Sequence, residues 1–267
     1  MYVRFELRLP AKSELSKPGN LVFLIFAACH VFLFVLNLIL NGASTFIGTW
    51  LVSATAMGLV WDNAILGAGR WLCPRAESDK TERELLSTLS QPRFILHAFL
   101  TPLLAVETAE LGQRAGVSWI GNGTVITAFI VSGVVSAYGT WHHFMHPALE
   151  IKKPVPKQPV DAWAGHVLSM TTAGGRDAAT LGLKIGPAVC LVIWTLIVGV
   201  SMMGSTQPTV ARAGSWLKWT SVLELLSNGG PPWTMMFSGN CGEIFFLLGF
   251  IVAEWSLLTA EQQVAHS

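Results

Sequence analysis

The chain has 267 residues, of which 52% are hydrophobic and only 12% are charged, and its mean hydropathy is +0.52. Soluble domains carry about 25% charged residues, so the composition excludes an ordinary soluble fold and indicates an integral membrane protein. The net charge of +1 gives no reason to expect a nucleic acid as a partner. Four scattered cysteines form no CxxC pair, so no zinc site or redox dithiol is predicted.

Long apolar runs predict α-helices that cross a bilayer, because crossing takes about 20 apolar residues and the runs lack the alternation of β-barrel strands. The predicted fold class is an all-α, polytopic transmembrane helical bundle with six or seven spans. It forms one integral membrane domain over residues 1–267. The predicted spans are 21–40, 45–67, 93–111, 118–141, 187–204 and 235–255, with 162–184 as the possible seventh.

Two polar stretches predict helices that lie along the membrane surface. Residues 79–89 place leucines on one side of a short helix and charged residues on the other. Residues 215–226 carry Trp216 and Trp219, which is typical of an interfacial amphipathic helix. Residues 152–159 contain three prolines and are expected to be extended.

The positions of lysine and arginine predict a cytosolic N-terminus. Four basic residues precede the first span, five lie in 70–93 and three lie in 152–157, whereas 112–117 holds only Arg114. With alternating helices the three basic groups share one side, which is the positive-inside pattern. The first span is expected to remain as a signal anchor.

Asp62 is the first candidate for a functional residue, because a carboxylate at the edge of a membrane helix is costly unless it is paired or used. The alternating helices place other polar residues at the same membrane face: Asn63, Arg93, His97, Tyr138, His142 and His146. Glu107 and Glu110 are expected toward the opposite face. Asn240 and Glu243 join these glutamates if there are six spans, and join Asp62 if there are seven.

Some of these residues have purely structural explanations. Asp62 and Arg93 would form an interfacial ion pair, and Glu110 and Arg114, four residues apart on one helix, would form a solvated pair. Glu107 and Glu243 have no such explanation. Glu107 has no obvious local partner, and Glu243 stands directly before an apolar run.

Eleven tryptophans are many for this length, and most lie near predicted span ends, where an interfacial belt explains them. Trp61, beside Asp62, and Trp194, in the middle of a span, are not explained in this way. Aromatic faces stabilise cations. A carboxylic acid buried among aromatic rings can deliver a proton to an apolar substrate.

The chain resembles the membrane-embedded terpene cyclases of fungal meroterpenoid pathways, the ascofuranone-type cyclases included. The resemblance is one of size, intramembrane acids, abundant aromatic residues and the lack of a nucleotide motif, and its candidate stretches are Trp61–Asn63, Arg93–Pro102 and Asn240–Glu243. It implies an isomerase or lyase of terpenoid biosynthesis and secondary metabolism in the endoplasmic reticulum. Such an enzyme protonates the epoxide of a prenyl chain and guides the resulting carbocation.

The resemblance also implies roles for particular residues. The proton donor would be Asp62, Glu107 or Glu243, and a second carboxylate or His97 would remove the final proton. The residues expected to line the site of the hydrophobic, prenylated substrate are Trp61, Asn63, Arg93, Tyr138, His142, Trp194 and Asn240. No metal or other cofactor is expected, because epoxide opening and not loss of diphosphate starts the reaction.

Three alternatives stay open. The same buried acids are typical of a proton-coupled transport path. His97 facing His142 or His146 would suit the two axial ligands of haem in an electron-transfer protein. A small helical bundle is also typical of an accessory subunit of a membrane complex.

Overall fold

A computed structural model confirms that the chain is a helical bundle. The structure describes residues 18–76, 78–145, 149–151, 168–170, 178–228 and 235–266. Within these residues there are seven helices and two short strands. The helices are α1 (Pro18–Asn41), α2 (Ile47–Leu72), α3 (Lys80–Arg114), α4 (Asn122–Met145), α5 (Ala178–Met203), α6 (Pro208–Asn228) and α7 (Met235–His266). The strands β1 (Leu149–Ile151) and β2 (Leu168–Met170) pair antiparallel between α4 and α5.

Five helices are long and apolar enough to cross a membrane, which agrees with an integral membrane protein in a lipid bilayer. The apolar segments are Leu21–Asn41, Ile47–Gly69, Lys80–Arg114, Asn122–Trp141 and Gly239–Gln262. A shorter apolar segment, Pro187–Met203, lies in α5.

The helix α3 is continuous where the sequence predicted a surface helix followed by a separate span. Asp79 caps it by accepting hydrogen bonds from the backbone N–H groups of Thr81 (2.9 Å) and Glu82 (3.4 Å). The helix runs through Pro92 and Pro102. At 35 residues it is roughly 50 Å long, which exceeds the ~30 Å hydrocarbon core. Its first turns therefore extend beyond the bilayer.

Six of the helices form a closed ring. Along the ring α1 packs on α2, α2 on α3, α3 on α5, α5 on α6, α6 on α7, and α7 returns to α1. The remaining helix, α4, packs on α3 outside the ring. Many apolar side chains of α4 are exposed, among them Phe129, Ile130 and Val134, and this surface suits contact with lipid tails.

The helix α6 is a full member of the ring, where the sequence predicted only an interfacial helix. A Cβ added at Gly214 would lie 2.7 Å from Met202 Cβ and 2.8 Å from Met203 N of α5. On the opposite side, a Cβ added at Gly249 of α7 would lie 3.0 Å from Thr220 Cβ of α6. Small residues at both crossings let the backbones approach closely. The possible span 162–184 falls mostly outside the described residues.

The crossing at Gly214 predicts a stability defect. Gly214→Ala should destabilise the protein by about 1–3 kcal/mol, because the new methyl group overpacks the contact between α5 and α6. Gly133→Ala is the matched control, since a Cβ there would meet nothing within 4 Å. Unfolding in mixed micelles measures both variants. Equal stability of the two would contradict the close packing of α6 against α5.

A second small core joins α2 to the first turns of α3. Cys73, Ala76 and Leu86 are buried together there. Burial, with a smaller contribution from the Glu82 carboxylate, raises the pKa of the Cys73 thiol to about 11. The thiol is therefore protonated at neutral pH and fills space as a small apolar side chain.

This environment predicts an unreactive cysteine. In a variant with no other cysteine, Cys73 should react with iodoacetamide at neutral pH at least about tenfold more slowly than a reference thiol, because the thiolate is the nucleophile. The reference is Ser78→Cys, at an exposed position of the same connection, in a variant that lacks Cys73. Mass spectrometry follows the alkylation. Similar rates for the two thiols would show that Cys73 is not buried.

Candidate functional site

Four side chains from three helices meet at one end of the bundle, and they form what is called here the acid–base cluster: Asp62 of α2, Arg93 and His97 of α3, and Glu243 of α7. Arg93 Nε donates a hydrogen bond to Asp62 Oδ1. His97 Nδ1 lies 3.8 Å from Asp62 Oδ2, and His97 Nε2 lies 3.4 Å from Glu243 Oε1. The imidazole therefore stands between two carboxyl groups of different helices.

The antiparallel packing of α2 and α3 brings the cluster together. Arg93 and His97 are four residues apart, so they lie on the same face of α3, and that face meets the end of α2. His97 Nδ1 also lies 3.2 Å from the carbonyl oxygen of Arg93. With the hydrogen on Nδ1 donated to that oxygen, Nε2 is left for Glu243.

The cluster has a buried half and an accessible half. Asp62 and Arg93 are buried, whereas the side chains of His97 and Glu243 are 39% and 28% exposed. Glu243 Oε2 is buried but has no hydrogen-bond partner among the described residues. The buried ion pair thus fixes α2 to α3, and the pair of His97 and Glu243 is partly open to its surroundings.

Two further titratable groups lie near the cluster. The sequence did not predict either of them as a site residue. His30 of α1 is fully buried, has no hydrogen-bond partner among the described residues, and interacts electrostatically with Glu243, Asp62 and His97. Glu224 of α6 faces Glu243. The sequence did not indicate this position of Glu224, because residues 215–226 were predicted to lie at the membrane interface.

Most of the predicted substrate-binding residues lie elsewhere. Trp61 is exposed and its Nε1 donates to Leu89 O at 3.0 Å, so it ties α2 to α3. Asn63 is buried and donates to Leu59 O of its own helix. Asn240 is buried one turn before Glu243 on α7. Among the predicted binding residues whose side chains the structure describes, Arg93 is the one that forms an ion pair with Asp62.

Tyr138 of α4 and Trp194 of α5 have aromatic partners outside the cluster. Tyr138 is exposed, with its ring 5.9 Å from that of Trp141. Trp194 stacks edge-on against Trp119 with ring centroids 5.5 Å apart. The side chain of His142 and all of His146 lie outside the described residues. The haem alternative, which depends on one of those histidines, therefore stays a prediction.

Glu107 is far from His97, at the other end of the bundle, where its carboxyl group lies next to that of Glu254 of α7. Both side chains are buried. Glu254 accepts hydrogen bonds from Ser44 Oγ (2.8 Å), Thr49 Oγ1 (3.1 Å) and Arg114 Nη1 (2.6 Å). The adjacent groups Glu107 and Glu254 are called the carboxyl pair below. The sequence analysis did not single out Glu254.

The sequence predicted that Glu110 and Arg114 form a solvated pair with each other, but the structure gives each of them other partners. Glu110 Oε2 accepts a hydrogen bond from Gly48 N at 2.8 Å, at the first turn of α2, where backbone N–H groups lack helical partners. Arg114 forms ion pairs with Glu254 and with Glu261, the latter at 2.9 Å. The arginine thus links α3 to α7.

A cavity of about 710 Å³ opens between α3, α4 and α5. Its lining is mainly apolar and includes Pro102, Ala105, Val131, Pro187 and Trp194. No residue of the acid–base cluster lines it. The cavity therefore explains the mid-span position of Trp194 but does not enclose the titratable groups.

No protein-family model matches the sequence, and a search of curated proteins finds no match. Among the described residues, no three histidine, cysteine, aspartate or glutamate side chains are grouped so that they could hold a metal ion. The geometry of the acid–base cluster is the observation from which a function can be argued.

The buried ion pair predicts strong coupling between α2 and α3. Asp62→Asn and Arg93→Met should each cost about 3–5 kcal/mol of stability, because each leaves a partner buried without its counter-charge. The double variant should lose less than the sum of the two. Equilibrium unfolding in mixed micelles gives the coupling energy.

The exposed pair Lys80 and Glu84, 3.8 Å apart, is the matched control. It should show coupling of about 0.5 kcal/mol or less. A coupling between Asp62 and Arg93 that is equally small would mean that this pair does not hold the two helices together.

Proposed function

We propose that the protein is a membrane-embedded acid–base enzyme of the endoplasmic reticulum, with its N-terminus in the cytosol, that cyclises a prenyl-chain epoxide. The observation that supports this proposal is the position of His97, between Asp62 and Glu243 and partly exposed. Acid-initiated cyclisation needs one group that gives a proton and another that takes one back. The cluster contains two such groups, His97 and Glu243, in contact with each other.

Glu243 is the proposed proton donor. Its side chain is partly exposed and lies against His97, so a proton on its carboxyl group is within reach of a substrate. Asp62 is a weaker candidate for this role, because protonating it would break its ion pair with Arg93. Glu107 is weaker still, because it is fully buried at the other end of the bundle.

His97 is the proposed base. The proton from Glu243 goes to the epoxide oxygen, the C–O bond breaks, and the π electrons of a chain alkene form the new C–C bond. His97 then removes a proton from the resulting carbocation, and Asp62, 3.8 Å from Nδ1, stabilises the imidazolium. The 3.4 Å contact between Nε2 and Glu243 returns the proton, so the reaction is a balanced isomerisation.

Proton-coupled transport is the second candidate, and a buried polar column favours it. His30, Asn37 and Asn41 recur at helical spacing on one face of α1, and all three are buried. Asn37 Nδ2 donates to Ser53 Oγ of α2 at 2.8 Å, and Asn41 Nδ2 donates to Asn37 Oδ1 at 2.7 Å. The column runs from the acid–base cluster toward the carboxyl pair.

The cyclase predicts a specific loss of activity. Purified protein in lipid vesicles should convert a prenylated epoxide to a cyclic product, and Glu243→Gln and His97→Gln should each lower the rate by at least about 100-fold, the range expected for loss of general acid or base catalysis. Mass spectrometry of the product gives the rate. Glu84→Gln, an exposed carboxylate of α3, is the matched control and should be unchanged.

Two results would contradict the proposal. Full activity of folded Glu243→Gln and His97→Gln would exclude the assigned donor and base. Failure of the folded wild-type protein to convert any of a panel of prenylated epoxides would exclude the cyclase. Proton uptake driven by a solute gradient in the same vesicles would then test the transport candidate.

A further inference from the structure

Glu107 is the most enclosed acid among the described residues. Its side chain is 0% exposed, and neither carboxyl oxygen accepts a hydrogen bond from any described donor. The backbone of α2 presses directly on it, because a Cβ added at Gly48 would lie 2.7 Å from Glu107 Cβ. A charged carboxylate in such a place would have neither water nor a donor to stabilise it.

The neighbouring carboxyl group is in the opposite situation. Glu254 accepts hydrogen bonds from two hydroxyl groups, Ser44 and Thr49, and forms an ion pair with Arg114. These donors satisfy a charged carboxylate. Glu254 therefore carries the negative charge of the carboxyl pair, and a second charge on Glu107 would face it directly.

The surrounding charges do not relieve this repulsion. The titratable groups that face Glu107 are Glu254 of α7 and Glu110 and Arg114 of α3. Arg114, the one cation among them, already forms ion pairs with Glu254 and Glu261. Glu110 accepts its hydrogen bond from the first turn of α2 and adds a further negative group. Of α2, Gly48 lies against Glu107 and has no side chain that could donate a hydrogen bond.

We propose that Glu107 and Glu254 form a proton-binding site, in which one proton carried by Glu107 is donated in a hydrogen bond to Glu254. The proton then acts as a ligand that joins α3 to α7. Its loss would place two negative charges in contact and would push apart α3 and α7, which the ion pair of Arg114 with Glu254 holds together. This site is separate from the acid–base cluster and does not depend on the proposed cyclisation.

A protonated carboxylic acid has a carbonyl stretching band in the infrared that a carboxylate lacks, and the band shifts in D2O. Because the proposed proton donor Glu243 also carries a proton, the wild-type spectrum alone does not isolate Glu107. Wild-type protein at neutral pH should show the band, and Glu107→Gln should lose the Glu107 component, which appears in the wild-type-minus-variant difference spectrum. Glu110→Gln is the matched control on the same helix and should retain it. Absence of the band in the wild-type protein, or its absence from that difference spectrum, would overturn the proposal. A wild-type protein without the band overturns it even if a variant fails to fold.

Thermal unfolding gives a second, independent readout. Since the folded state holds a proton that an unfolded glutamate gives up at neutral pH, unfolding releases one proton and stability falls as pH rises. The unfolding equilibrium constant should increase about tenfold per pH unit in this range. Glu107→Gln should remove that slope, because the amide is neutral at every pH, whereas Glu110→Gln should keep it.

A sodium ion is the competing ligand for two carboxyl groups with nearby hydroxyls. Unfolding is therefore measured in sodium and in choline salts at equal ionic strength. Equal stability in the two salts, together with the pH slope, supports the proton. Stabilisation by sodium without a pH slope would overturn it.

Discussion

The acids of α7 determine how this bundle closes. An acidic side chain inside a bilayer needs a partner within the protein, and α7 carries one near each end. Glu243 meets His97 at one end and Glu254 meets Arg114 at the other. Because both partners belong to α3, the direction and the rotation of α7 against α3 are set together. The ring of α1, α2, α3, α5, α6 and α7 closes with both contacts formed.

The two polar ends have different physical characters. At the first end Asp62 and Arg93 form the buried support, and His97 and Glu243 remain partly exposed, so a small molecule can reach titratable groups that are held in place. At the second end Glu107 and Glu254 are sealed between α2, α3 and α7. We therefore propose chemistry on a substrate at the first end and binding of a proton at the second.

The sequence predicted the helical bundle because runs of about 20 apolar residues leave few alternatives. It also indicated the pairing of Asp62 with Arg93, since alternating helices place both at one face. It did not reveal the role of α6, because Trp216 and Trp219 made 215–226 resemble an interfacial helix. Nor did it single out Glu254, which stands at the end of the predicted last span. The place of α6 in the ring and the partners of Glu254 both depend on tertiary contacts, which no local sequence pattern encodes.

The direction of α7 is the central claim, because it decides whether Glu243 or Glu254 faces His97. The test uses two single-cysteine variants in sealed vesicles and a membrane-impermeant maleimide. One cysteine replaces Glu84, before the apolar part of α3, and the other replaces Gln262, near the end of α7; both positions are exposed. A bundle in which α6 crosses the membrane predicts that the two cysteines are labelled from opposite sides. Labelling from the same side would mean that α6 does not cross and that the acid–base cluster is not assembled as described.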